Sequence, residues 1–126
     1  MEIEKADVLI SSAEEFFHSA QNESLRSHED AVTHLICHHS RQSIMNYLQG
    51  FLLRNDIAPQ SPPTMAGLLE QCRGYDARFD LVDISPIDCR FETHDRDYCL
   101  EKGKVDSCFE AAKQVRNIIT ADAPGF

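Results

Sequence analysis

Apolar residues recur along this chain at steps of three and four and never in strict alternation, and that period dictates helices rather than strands. Ala6, Leu9, Ile10, Ala13, Phe16, Phe17 and Ala20 form one stripe of a first helix. Ser27-His28-Glu29-Asp30 has the form of a capping box, a hydroxyl followed three residues later by an acid. From there a helical stretch runs to about Asn55, with no proline and Gly50 as its single glycine. Ile36, Ile44, Tyr47, Leu48 and Phe51 share one face of this second helix, while His34, His38, Arg41, Met45 and Leu52 share another. Two such faces predict packing against two different things. Ile57-Ala58-Pro59-Gln60-Ser61-Pro62-Pro63 cannot continue a helix. Thr64 then caps a short third helix carrying Met65, Leu68, Leu69 and Cys72, with Gly74 at its end. Asp80 to Lys102 has no period and reads as a long loop. Val105, Cys108, Phe109, Ala112, Val115 and Ile119 restore the helical register before Ala121. The expected fold is all-α: three long helices and one short.

A chain of 126 residues is one domain, spanning 1–126. Apolar residues at 42% and charged residues at 26% are the composition of a globular chain. Lys and Arg number 12 against 21 Asp and Glu, a formal charge of −9. That field opposes double-stranded DNA and anionic membranes unless the few cations share one surface. No apolar run exceeds three residues, and a membrane span needs roughly 18. Met1-Glu2-Ile3-Glu4-Lys5 lacks the form of a secretory signal. Cys37, Cys72, Cys89, Cys99 and Cys108 are five in number, widely spaced and without a C-x-x-C pair, which favours reduced thiols and a cytoplasmic setting. Cys37 and Cys108 fall at apolar helix positions, where free cysteine packs as a small hydrophobe.

Two constellations carry chemistry. His34 and His38 are four residues apart, one helix face, beside Cys37 and His39; such spacing suits a metal, and a metal-dependent four-helix enzyme using His34 and His38 is one alternative. The glutamate of H-E-x-x-H and the Glu-x-x-His pairs of di-iron bundles are absent, so no metal is expected. Cys89-Arg90-Phe91-Glu92-Thr93-His94-Asp95-Arg96-Asp97-Tyr98 places two arginines, a histidine and two aromatics in ten residues. Arginine grips phosphate in bidentate fashion and histidine moves protons near neutral pH, the minimum for metal-independent RNA cleavage by Arg90, His94 and Arg96. The opposing reading is a solvated loop in which Glu92, Asp95 and Asp97 neutralise the arginines. Glycine loops for nucleoside triphosphates and a G-x-S-x-G elbow are missing.

The run Cys37-His38-His39-Ser40-Arg41-Gln42-Ser43-Ile44-Met45-Asn46-Tyr47-Leu48-Gln49-Gly50-Phe51-Leu52-Leu53, the proline-bearing link and Thr64-Met65-Ala66-Gly67-Leu68-Leu69 resemble the HEPN (higher eukaryotes and prokaryotes nucleotide-binding) family. Arg96-Asp97-Tyr98 is similar to the Arg-Tyr-Pro triplet that one branch places before its last helix. The resemblance implies an antiparallel bundle of four to five helices, HEPN-like, forming a homodimer. It also implies a site for nucleotide or RNA built on Arg90, Arg96 and Tyr98, a nucleotidyltransferase partner of the toxin–antitoxin type, and no cofactor. The usual glutamate and lysines of the second-helix run are replaced by Met45, Asn46 and Gln49. RNase members also keep a longer interval from Arg to His than the three residues between Arg90 and His94. The expectation is therefore a non-catalytic module. Its dimer interface would use His34, His38, Arg41, Met45 and Leu52, the last two being apolar groups that a monomer would leave in water.

Overall fold

Helix α1 (Glu2–Ser24) buries Ala6, Ala13, Phe17 and Ala20 as one stripe, as its period demands. Three of these are alanines at seven-residue intervals, and α2 (Thr33–Arg54) answers with Ser43 and Gly50, so the two backbones approach closely. Ser43 Oγ donates to the Ala13 carbonyl at 2.9 Å, and Asn46 Nδ2 donates to Ser12 Oγ at 3.2 Å. A buried hydroxyl that finds a main-chain acceptor on the neighbouring helix avoids the cost of an orphaned polar group. The pairing of 43 with 13 and 46 with 12 sets α1 and α2 antiparallel. The computed structural model describes residues 2–25, 33–82 and 102–121, with side chains given for 5–23, 25, 36–82 and 107–121.

Within those residues the chain forms four α-helices and one 3-10 helix, with no strand. The all-α expectation holds. Helix α2 is central, its buried residues spread round most of its circumference: Ile36, Cys37, Ser40, Ser43, Ile44, Tyr47, Leu48, Phe51 and Leu52. It packs against α1, against α3 (Met65–Tyr75) and against α4 (Lys102–Ala121). Helix α4 buries Cys108, Ala111, Ala112, Val115 and Ile119, and Phe109 stacks on Phe17 of α1 at 5.2 Å. Contacts of Phe17 with Phe109 and of Glu14 with Arg116 make α4 antiparallel to α1. It therefore runs in the same sense as α2.

Local chemistry sets the helix ends. Helix α2 stops at Arg54, ahead of the prolines, in a Schellman cap: Ile57 N donates to the Leu52 carbonyl (2.8 Å) and Asp56 N to the Leu53 carbonyl (3.1 Å). Asp56 takes the left-handed conformation (φ 61°) that this cap requires, and Ile57 packs back onto the core. Thr64 caps α3 as expected, its Oγ1 accepting from Gly67 N at 3.0 Å. Gln60 N donates to Gln71 Oε1 and Gln71 Nε2 to the Ala58 carbonyl, which holds the proline-rich link against α3. Gly74 does not end α3, which continues through Tyr75. A 3-10 helix (Ala77–Leu81), too short to show a 3.6-residue period, leads into the patternless stretch and takes in its first two residues. Asp76 caps it and Phe79 inserts into the core, edge-on to Phe51 at 4.9 Å. The capping box at Ser27–Asp30 and residues 83–101 lie outside the described residues.

Candidate functional site

The second face of α2 divides at Met45. Its C-terminal part is covered, because the Schellman cap and the link bring α3 back over it. Leu52 is consequently 0% exposed and belongs to the main core with Leu48, Leu68, Leu69 and Phe79. This corrects the assignment of Leu52 to a dimer interface: the chain's own third helix supplies the neighbour that a second copy was expected to provide. Met45 is only partly buried and packs against the same core. His34 lies within α2, but its side chain is outside the described set, as are Arg90, His94, Arg96 and Tyr98.

What remains uncovered is a cleft of about 440 Å³ between α2 and the start of α3. His38, Arg41, Gln42, Met45, Asn46 and Gln49 line it from α2, and Pro63, Thr64 and Met65 close the far side. On the α2 side these residues follow from helix geometry, since steps of three and four from His38 bring 41, 42, 45, 46 and 49 onto one face. The far side exists only because Thr64 starts α3 there; its hydroxyl, already accepting from Gly67, also takes a hydrogen bond from Gln60 Nε2 at 3.1 Å. Two features distinguish the cleft chemically. Its lining includes an arginine and a histidine but no acid, in a chain carrying −9. Three amide side chains, Gln42, Asn46 and Gln49, and two methionines, Met45 and Met65, share the lining, which mixes hydrogen-bonding with apolar surface.

His38 lines the cleft, and His39 lies beside it toward α1, its ring 5.7 Å from that of His38 and 5.8 Å from that of Phe16. Among the described residues no three His, Cys, Asp or Glu side chains converge as a metal centre needs. Gln42, Asn46, Gln49 and Met65 were not picked out as site residues from the sequence. Their signal was there as a run of amides at helical spacing, but amides carry no charge or catalytic chemistry to mark them.

A second polar cluster joins the three long helices on the other side of α2. Arg116 Nε of α4 donates to Glu14 Oε2 of α1 at 3.0 Å, and its guanidinium lies 4.9 Å over the Phe17 ring. Tyr47 of α2 is fully buried, with its hydroxyl beside this pair but in a well-formed hydrogen bond to neither. Burial, with the Glu14 carboxylate adding to it, pushes the phenol far above its ordinary range, so Tyr47 stays neutral. The cluster acts as a tie between helices. Cys72 is likewise inert: burial, assisted by the Asp76 charge, raises its thiol to about 12, and its nearest polar partner is the Leu48 carbonyl at 3.9 Å.

No family model, curated protein or solved structure matches the chain. No helix among the described residues is long and apolar enough to cross a membrane.

Proposed function

We propose that this chain is a non-catalytic, HEPN-like helical module that binds a nucleotide, or the end of an RNA, in the cleft between α2 and α3. The cleft carries the reading: about 440 Å³ falls within the roughly 300–1,000 Å³ of small-molecule sites, and its charged lining is cationic in a strongly anionic chain. Arg41 would take a phosphate, His38 would offer a ring nitrogen, and Gln42, Asn46 and Gln49 would meet a base edge, with Met45 and Met65 as apolar contacts. Arg90, Arg96 and Tyr98 lie outside the described residues and stay in this reading as the ligand-binding residues that the resemblance implies. Two-fold pairing through His34, His38, Arg41 and Met45 belongs to the same reading, with or without a nucleotidyltransferase partner.

Isothermal titration of the full chain with AMP, ATP and a short single-stranded RNA tests this. The expected result is saturable binding of at least one of the three, weakened about tenfold or more by Arg41→Ala, the loss of one charge-assisted contact. Binding that Arg41→Ala leaves unchanged, or no binding of any probe, refutes the assignment. Cleavage of the RNA, abolished by Arg90→Ala or His94→Ala, would replace it with the metal-independent endoribonuclease.

A further inference from the structure

Cys37 of α2 and Cys108 of α4 stand sulfur to sulfur at 3.2 Å, either thiol able to donate to the other. Both are buried, at 1% and 0% exposure, and no disulfide joins them in the structure. They meet where α2 and α4 begin, 71 residues apart in sequence. The sequence treats each as a small core hydrophobe, but a core needs only volume at these two positions, and alanine or valine would supply it. Two thiols that select each other across a helix interface add a chemistry that packing does not require.

We propose that Cys37 and Cys108 are an oxidation site, a latent staple that closes into a disulfide when the chain meets a peroxide. The geometry permits it, since closing from 3.2 Å to the roughly 2.0 Å of an S–S bond needs about 1.2 Å of movement, shared between two side chains that each turn about one torsion. The step balances as follows. One thiol, as thiolate, attacks the peroxide; the O–O bond breaks, hydroxide leaves, and the sulfur becomes a sulfenic acid. The second thiol attacks that sulfur, the S–S bond forms, and the hydroxyl leaves as water. In total two thiols give up two electrons and two protons, and hydrogen peroxide becomes two waters. Burial makes the site slow to react, because peroxide reaches it through local opening at the start of these helices. The same burial shields the product from reductants. Cys72 is the internal contrast: it is equally buried, but a carbonyl rather than a thiol lies beside it.

The closed staple bridges 71 residues, which restricts the unfolded chain strongly. It ties α4 to the central helix that carries the cleft, so oxidation would hold the bundle together under the conditions that otherwise unfold it.

The test is to treat the full-length protein with millimolar hydrogen peroxide at 37 °C, then map peptides without reduction. The expected result is one linked peptide joining Cys37 to Cys108, a loss of two hydrogen masses, reversal by dithiothreitol, and a Tm higher by roughly 10 °C in the oxidised form. Cys37→Ala and Cys108→Ala should each abolish the link, and Cys72→Ala should leave it. The mapping on the unaltered chain stands whether or not a variant folds. Thiols that persist at both positions, a sulfinic or sulfonic acid at either, or a link from either to another cysteine would each overturn the proposal.

Discussion

Gly50→Ala sets two physical terms against each other. In a helix interior alanine is better than glycine by about 1 kcal/mol, which on local grounds alone predicts stabilisation. At Gly50, however, a Cβ would stand 2.6 Å from Ile10 Cγ1, 3.3 Å from Ile10 Cδ1 and 3.2 Å from the Ala6 carbonyl oxygen. Ile10 cannot simply swing aside, because its branched Cβ restricts the first torsion, and the Ala6 oxygen belongs to the α1 backbone. Forcing a methyl into such a contact costs about 1–3 kcal/mol. The net expectation is a loss of about 1 kcal/mol. For a chain of 126 residues the unfolding entropy makes each kcal/mol worth about 4 °C in Tm, so calorimetry should show a fall of about 4 °C. A double-mutant cycle isolates the cause. In an Ile10→Ala background the two Ile10 contacts are gone and only the 3.2 Å approach to the Ala6 oxygen remains, so Gly50→Ala should cost less there, with a coupling of about 1–2 kcal/mol. A rise of about 4 °C for Gly50→Ala in the unaltered chain would refute the close approach of α1 and α2.

Further outcomes follow from single residues. Leu52→Ala should cost about 3 kcal/mol, near 12 °C in Tm, as a core cavity does, with no change of oligomeric state in light scattering; Met45→Glu, at the partly exposed end of the same face, should leave the fold intact. Asp56→Gly should raise Tm by about 2 °C in a thermal melt, because glycine enters the left-handed cap at φ 61° without strain. Asp76 has its carboxyl held below the usual range by hydrogen bonds from the Arg78 side chain and backbone. A depressed folded-state pKa contributes stability that is present above the unfolded value, about 3.9, and is lost as pH falls through the folded value. Asp76→Asn should therefore be less stable than the parent at pH 6 in urea titrations, and the gap should narrow below pH 4; a gap that stays constant would exclude this linkage.

Much of the bundle was legible because helix formation is local. The stripe in α1, the capping hydroxyl of Thr64 and the register of α4 each depend on residues within a few positions of one another. Shorter or conformationally special features were not. The Schellman cap at Asp56 needs a left-handed backbone at a residue that carries no glycine signal. The 3-10 helix at Ala77–Leu81 is shorter than two turns of any period a reader could detect. Of the proposed cleft, the spacing showed that His38, Arg41 and Met45 share a face, but read that face as a dimer interface rather than as the lining of a cleft. The amides beside them, and the wall made by Thr64 and Met65, were not legible.

The reason separates what the sequence by itself determined from what the tertiary structure decided. Side-chain period set that the chain is helical, where each long helix lies, and that α2 has two faces needing neighbours. It could not say which neighbour each face takes, because that depends on contacts between residues far apart in the chain. Folding α3 back over α2 put Leu52 into the core and left Met45 at the edge of a cleft, although both stand on the same face of the same helix. The long-range pairing of α2 with α4 likewise brought Cys37 against Cys108 across 71 residues. Helix type is settled by a residue's near neighbours in sequence; whether a helical face becomes core, cleft or thiol pair is settled by what the rest of the chain lays against it.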